Sequence, residues 1–359
     1  LHEFKFFNQD IRNLLVICRL AYDIAHLTSY VFMLDTLFNV RYLASKISVQ
    51  DLFSNPRRIM PAFNSVQDVI QKFDTQSYIC GADIATSIYL MEHLKKPLLV
   101  EGPPGVGKTE IAKSLSGALD RRLIRLQCYE GLDESKALYE WEYTKQLLYT
   151  QMLKDRIGDL LGNASTLDES VEALNRVDSA FFSQHFLLPR PLLEAILSPE
   201  PVVLLIDEVD RSDDEFESFL LEILSDFQVS IPELGTLSAV QRPLVVLTSN
   251  SNRNLSEALR RRCLYLYIDY PSLEQEIRIV LRRTPDINED LAQQIVRFVQ
   301  KIRTLNVRKP PSISETIDWA LALVVLNAQN LSRDVLGTTL NVLMKDKEDI
   351  ERIMREGVR

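Results

Sequence analysis

The sequence predicts a three-layer α/β domain built on a parallel five-stranded sheet and followed by a small all-helical domain. Three observations carry that expectation. Short β-branched or leucine-rich runs alternate with helical periods over residues 60–271, the order expected when helices cover both faces of a parallel sheet. One run, VVLLI at 202–206, is apolar at every position, as a strand buried on both faces must be. After Pro271 the strand signals stop and only helical spacing remains.

The elements follow in order. Strands are expected at 98–101, 123–127, 202–206, 244–248 and 264–268. A helical run covers 110–119. Another is marked by Phe216, Phe219, Leu220, Ile223, Leu224 and Phe227, whose spacing makes one face that packs onto the sheet. Beyond residue 271, helices are expected at 273–283, 289–305 and 314–328, with a charged tail from Leu331. The chain then divides into an α/β domain at 60–271 and a helical domain at 272–359, both of ordinary domain size. Residues 130–189 are long for a connection, so helices or a functional insertion are expected there.

Residues 1–59 are compositionally foreign, with 9 of the 29 aromatic residues and no glycine before Gly81. Arg12, Arg19, Asp23, Asp35 and Arg41 interrupt the apolar runs. The longest uncharged stretch, Ile24 to Leu34, falls short of the roughly 20 residues a membrane-spanning helix needs. Two readings stand: a divergent helical extension, or a segment ahead of a translation start at Met60.

Composition excludes several classes. With 359 residues, 46% hydrophobic and 25% charged, the chain is neither disordered nor a small stapled scaffold. Cys18, Cys80, Cys128 and Cys263 form no CxxC pair, and four scattered histidines add no metal-ligand spacing. That pattern reads as a reduced, cytoplasmic protein without a zinc site. The net charge is −9, and residues 1–59 carry 7 basic against 5 acidic side chains, leaving −11 on residues 60–359. A protein held on DNA by a bulk positive field is therefore not expected.

Two motifs carry the chemistry. Residues 102–109 read GPPGVGKT between a strand and a helix, the context that makes a phosphate-binding loop out of GxxxxGK[ST]. Gly102, Gly105 and Gly107, with Pro103, Pro104 and Val106 between them, turn backbone N–H groups toward phosphate oxygens. The helix opening at Lys108, Thr109 and Glu110 adds its N-terminal partial charge. Lys108 is expected on the β and γ phosphates and Thr109 on Mg²⁺. Asp207 and Glu208 end the VVLLI strand, at the sheet edge where ligands bind. Asp207 would hold the metal's water shell, and Glu208 would polarise the attacking water. Asp213 and Asp214 suit an acidic helix cap better. The fourth strand ends LTSN, setting Asn250 beside the same edge.

The run EALRRRC at 257–263 precedes the fifth strand, while 207–217 holds seven acids against Arg211. A basic edge and an acidic edge on one domain suit head-to-tail association, which closes into a ring when the rotation allows. An arginine placed in a neighbour's site contributes on the order of 10³ to 10⁵ in rate.

The order GPPGVGKT, LLIDE, LTSN, arginine run and helical lid resembles the AAA+ ATPases, which implies a P-loop AAA+ fold, ATP and Mg²⁺. DEVDRSDDEFESFLLEILSDFQVSIPELG is similar to the MoxR family. LQCYEGLDESKALYEWEYTKQLL and RKPPSISETIDWA resemble its CoxD-like branch, associated with maturation of molybdenum-containing carbon monoxide dehydrogenase. The resemblance implies Walker A ligands Lys108 and Thr109, a Walker B pair Asp207 and Glu208, and Asn250 as sensor 1. It places the arginine finger at Arg262, with Arg261 as the alternative, and the adenine against Tyr78 and Ile79. The lid arginine of the family has no match in PSISET, where Glu315 stands, so Arg308 or Lys309 would have to substitute. VSIPELG at 229–235 looks like the family's hairpin before sensor 1, and Trp141 and Tyr143 are candidates to face a client. The partners the resemblance implies are further copies in a ring, a hexamer, together with a protein client and a von Willebrand factor A domain protein. A DNA-dependent clamp loader or helicase shares the motifs but predicts a basic pore. A small-metabolite phosphotransferase predicts no trans arginine.

Overall fold

The computed structural model describes residues 62–162, 186–232, 234–305 and 307–356. The chain divides at Met60 and Pro61 into two units, and the described residues belong to the second. The expectations for residues 1–59 lie outside them.

Two helices come first, α1 (Val66–Thr75) and α2 (Ala82–Leu94), and the turn between them carries Tyr78 and Ile79. Then follow β1 (Leu98–Glu101), α3 (Lys108–Leu119), β2 (Leu123–Gln127), α4 (Glu134–Ala137), β3 (Tyr139–Trp141), α5 (Tyr143–Gly162), β4 (Leu187–Pro189) and α6 (Pro191–Leu197). Next come β5 (Val203–Asp207), a single 3₁₀ turn (Val209–Arg211), α7 (Asp214–Asp226), β6 (Gln228–Ile231), β7 (Gly235–Ser238), β8 (Leu244–Ser249), α8 (Glu257–Arg262) and β9 (Leu264–Tyr267). The remainder is helical: α9 (Leu273–Arg283), α10 (Glu289–Thr304), α11 (Ile313–Val325), α12 (Arg333–Leu343) and α13 (Lys347–Glu356).

The main sheet has five strands in the order β2-β5-β8-β1-β9, and every pair is parallel. Alternation along each strand feeds two cores. Leu99, Leu204, Ile206, Val245 and Leu247 face one cluster, and Leu98, Val100, Val203, Leu205 and Val246 face the other. Burial on both faces explains why β5 reads as an unbroken apolar run. It is shifted one residue from the expected span, so Asp207 is itself in the ladder, paired with Gln127.

Asp213 caps α7 by accepting from the Phe216 N–H at 2.8 Å, as its acidic spacing predicts. Ser312 caps α11 in a reciprocal capping box with Glu315. The helix ends at Val325, three residues before the expected stop, because Asn327 takes a left-handed φ of 53°. The insertion departs further from expectation: besides helices it contains the antiparallel pair β3 and β4, each too short for its alternation to be read. Trp141 lies in β3 and is buried, so it packs rather than faces a client, whereas Tyr143 is exposed. The charged tail forms α12 and α13. The helical domain has its own core around Trp319, and inside it Arg303 holds the fully buried Glu276 through two 2.7 Å bonds.

Candidate functional site

Strand order brings three strand ends together. β8 lies between β5 and β1, so the carboxylates after β5, the Asn250 turn after β8 and the glycine-rich loop after β1 converge at the C-terminal edge of the sheet. In that loop Gly105 and Gly107 have φ of 72° and 98°, a region closed to most other residues. A Cβ on Gly105 would also stand 2.3 Å from the Ser312 Cβ, because the start of α11 rests on the loop.

Lys108 is only 6% exposed. Its ammonium donates to the carbonyls of Gly102 at 2.8 Å and Pro103 at 2.7 Å and to Asn250 Oδ1 at 2.8 Å. Burial lowers its pKa, and the nearby carboxylates of Asp210, Asp207 and Glu208 act in the opposite sense. Thr109 donates to Asp207 Oδ1 at 3.0 Å, Thr248 donates to the same oxygen at 2.6 Å, and Arg125 holds Oδ2 at 2.6 Å. Glu208 sits at φ 56°, ψ 48°, the left-handed conformation, with its N–H on Thr248 Oγ1 at 2.9 Å. Its carboxylate lies 3.5 Å from Asn250 Nδ2 and 2.9 Å from Arg211.

These groups open onto a cavity of about 770 Å³, within the range of small-molecule sites. Pro104, Gly105, Val106, Gly107, Lys108, Thr109, Glu110, Asp207, Glu208, Asn250, Tyr78 and Ile79 all line it. Gly102 and Pro103 do not; they face Lys108 with their carbonyls. Buried positive charge, glycine turns and a Thr109–Asp207 oxygen pair suit a nucleoside triphosphate and a hard cation. No cluster of three or more acidic, His or Cys ligands exists among the described residues, so phosphate and water oxygens would complete such a cation's shell.

Arg261 and Arg262 are outside this cavity. Arg261 pairs with Glu257, and exposed Arg262 donates to Ser225 Oγ. Arg260 turns inward to Glu101 at 2.7 Å.

Three sequence expectations need correction. The acidic edge is thinner than its charge count, since Asp207, Asp210 and Glu217 are buried at 2%, 3% and 1% exposure. Asp210 instead accepts from the Asn250 and Asn252 N–H groups at 3.1 and 2.9 Å, and Arg253 pairs with Asp214 and Glu217. Arg308 points away from the cavity to Asp346 at 3.5 Å and Glu348 at 2.8 Å, and Lys309 does not line it. The lid arginine that does line it is Arg283, at the end of α9, bonded to Glu110 at 2.8 Å. Arg125, Thr248, Asp210 and Arg283 escape motif reading because each reaches its partner across strands or domains. The only local signal was the arginine pair closing α9.

A parallel sheet with a glycine-rich loop, a strand-end carboxylate pair and a buried lysine defines a P-loop nucleoside triphosphatase. More narrowly, residues 97–263 match the family model described as AAA domain (dynein-related subfamily), and this stretch is an AAA+ ATPase domain with a helical region after it. A Lon protease of Cytophaga hutchinsonii is 28% identical over 198 residues, covering 53% of this chain and 20% of the relative; the chain thus spans about a fifth of that protein's length. An uncharacterized protein of Staphylococcus aureus (strain bovine RF122) is 24% identical over 266 residues, covering 71% of this chain and 87% of the relative. Among solved structures, the Thermotoga maritima RuvB Holliday junction branch migration motor shares 18% identity at a TM-score of 0.40, covering 78% of this chain and 71% of that one.

Proposed function

We propose that this chain is a ring-forming ATPase of the MoxR type, in its CoxD-like branch, that couples ATP hydrolysis to remodelling of a protein client in the cytoplasm. The client is a molybdenum hydroxylase such as carbon monoxide dehydrogenase, engaged with a von Willebrand factor A domain partner, and the ring is a hexamer. The observation carrying the catalytic part is the meeting of Lys108, Thr109, Asp207, Glu208 and Asn250 at one cavity from three adjacent strand ends.

Lys108 exchanges its loop carbonyls for phosphate oxygens. Thr109 and Asp207 would hold Mg²⁺, which when bound would supply positive charge against the phosphates. Glu208 takes a proton from the attacking water while Asn250 orients it. Arg262, exposed and bonded among the described residues to the Ser225 hydroxyl, is available to a neighbouring copy's site, with Arg261 as the alternative. Tyr78 and Ile79 cover the adenine.

Affinity capture with Glu208→Gln, which keeps the ATP ligands and loses the base, tests the reading. Recovery of a molybdenum hydroxylase or a von Willebrand factor A domain protein with ATP is the expected result. Recovery of nucleic acid as the main ATP-dependent partner would instead favour a clamp-loader or helicase.

A further inference from the structure

We propose that Asp318, on α11 of the helical domain, accepts a hydrogen bond from a ribose hydroxyl of the bound nucleotide and so gives the site its preference for the sugar. This rests on the reading of the cavity as an ATP site. The phosphate end is set by Lys108 and the glycine loop, and α11 begins on that loop, where Ser312 blocks any side chain at Gly105. A helix rises about 1.5 Å per residue, so Asp318, six residues beyond Ser312, stands about 9 Å farther along the axis than the contact of Ser312 with the loop. Ser314, Ile317 and Asp318 share one face of α11, and all three line the cavity. Tyr78, Ile79 and Ile279 add an apolar part to the lining, with Tyr78 beside Gly107, and that part suits a base.

The chemistry selects the same group. A carboxylate offers acceptors only, and beside a triphosphate it repels the phosphates, so its complement is a neutral donor. Ribose hydroxyls are such donors, and an acidic residue reads them in dinucleotide folds. Asp318 is exposed and has neither a hydrogen bond nor an ion pair among the described residues. The other acids nearby are engaged locally: Glu315 closes the α11 capping box, and Asp269, which also lines the cavity, accepts the adjacent Tyr270 N–H at 2.7 Å. Asp83 lies over its own helix start, 2.5 Å from where a Gly81 Cβ would be.

Calorimetric titration of ATP, 2′-deoxy-ATP, 3′-deoxy-ATP and GTP into the full chain tests the inference, using Glu208→Gln to suppress turnover. The expected result is about tenfold weaker binding of at least one deoxy analogue, equivalent to about 1.4 kcal/mol. Adding Asp318→Ala should bring ATP down to the affinity of that analogue without changing the analogue's own. Adding Asp318→Asn, which keeps the shape, should retain part of the preference. Equal binding of ATP and both deoxy analogues before Asp318 is changed would overturn the proposal, as would a preference that survives Asp318→Ala. A change confined to ATP against GTP would place the carboxylate on the base and overturn it too. No binding of any nucleotide would instead defeat the ATP reading itself.

Discussion

Glu208 shows how a single side chain is aimed. A left-handed backbone costs a non-glycine residue roughly 1–2 kcal/mol, and here the Thr248 hydroxyl holds it by accepting the Glu208 N–H while donating to Asp207. Glu208→Gly should therefore raise stability by about 1 kcal/mol in urea titration, with turnover falling by at least two orders of magnitude, as loss of a general base predicts. A stability loss would show that the carboxylate contacts outweigh the backbone strain. Glu110 makes a second residue-scale case. Burial pushes its pKa up, but the bonds from Arg283 and Lys113 outweigh that and leave it below its ordinary value. A depressed carboxylate contributes stability that is present above the ordinary carboxylate range and lost as pH falls through the lowered folded value. The stability difference between the native chain and Glu110→Gln should thus shrink on acidification; a difference independent of pH would contradict the pairing with Arg283.

At the scale of elements, the helical domain is tied to the α/β domain by the end of α9 and the start of α11. Arg282 and Arg283 at the end of α9 reach Asp74 and Glu110, and the start of α11 sits on the glycine loop. Those contacts make α9 and α11 walls of the nucleotide cavity. Within the helical domain, Arg303 and Thr316 bond to Glu276, joining α9, α10 and α11. Removing one member of a buried pair leaves the other charged in a low dielectric, so Glu276→Ala should cost about 3–5 kcal/mol. Denaturant unfolding measures this directly, and a cost under 1 kcal/mol would mean that water reaches Arg303.

At the scale of the whole molecule, the proposed ring makes activity depend on association. Specific activity should fall on dilution, and Arg262→Ala should lower it by about 10³-fold at concentrations where the native chain is assembled. Activity unchanged in Arg262→Ala and independent of concentration would defeat the trans arginine. The surface charge that favours association is local, because buried Asp207, Asp210 and Glu217 act within the chain and only the remaining acids of 207–217 can meet a neighbour.

Local pattern alone determined the sheet strands to within a residue, the α9 span, the Asp213 cap, and the loop and carboxylates that line one cavity. Buried parallel strands demand continuous apolar runs, and a phosphate loop demands its glycines and lysine in fixed order. Tertiary structure decided what those residues meet. Strand order put Thr248 on Asp207, and the docking of α9 and α11 brought Arg283 and Asp318 to a cavity far from them in sequence. Charge counting could not tell an exposed carboxylate from one buried against backbone N–H groups, since burial depends on partners that lie some 40 residues away, as Asp210 and Asn250 do. The β3–β4 pair stayed hidden for a related reason: its partners are 46 to 50 residues apart, and each strand is too short for its own alternation to register.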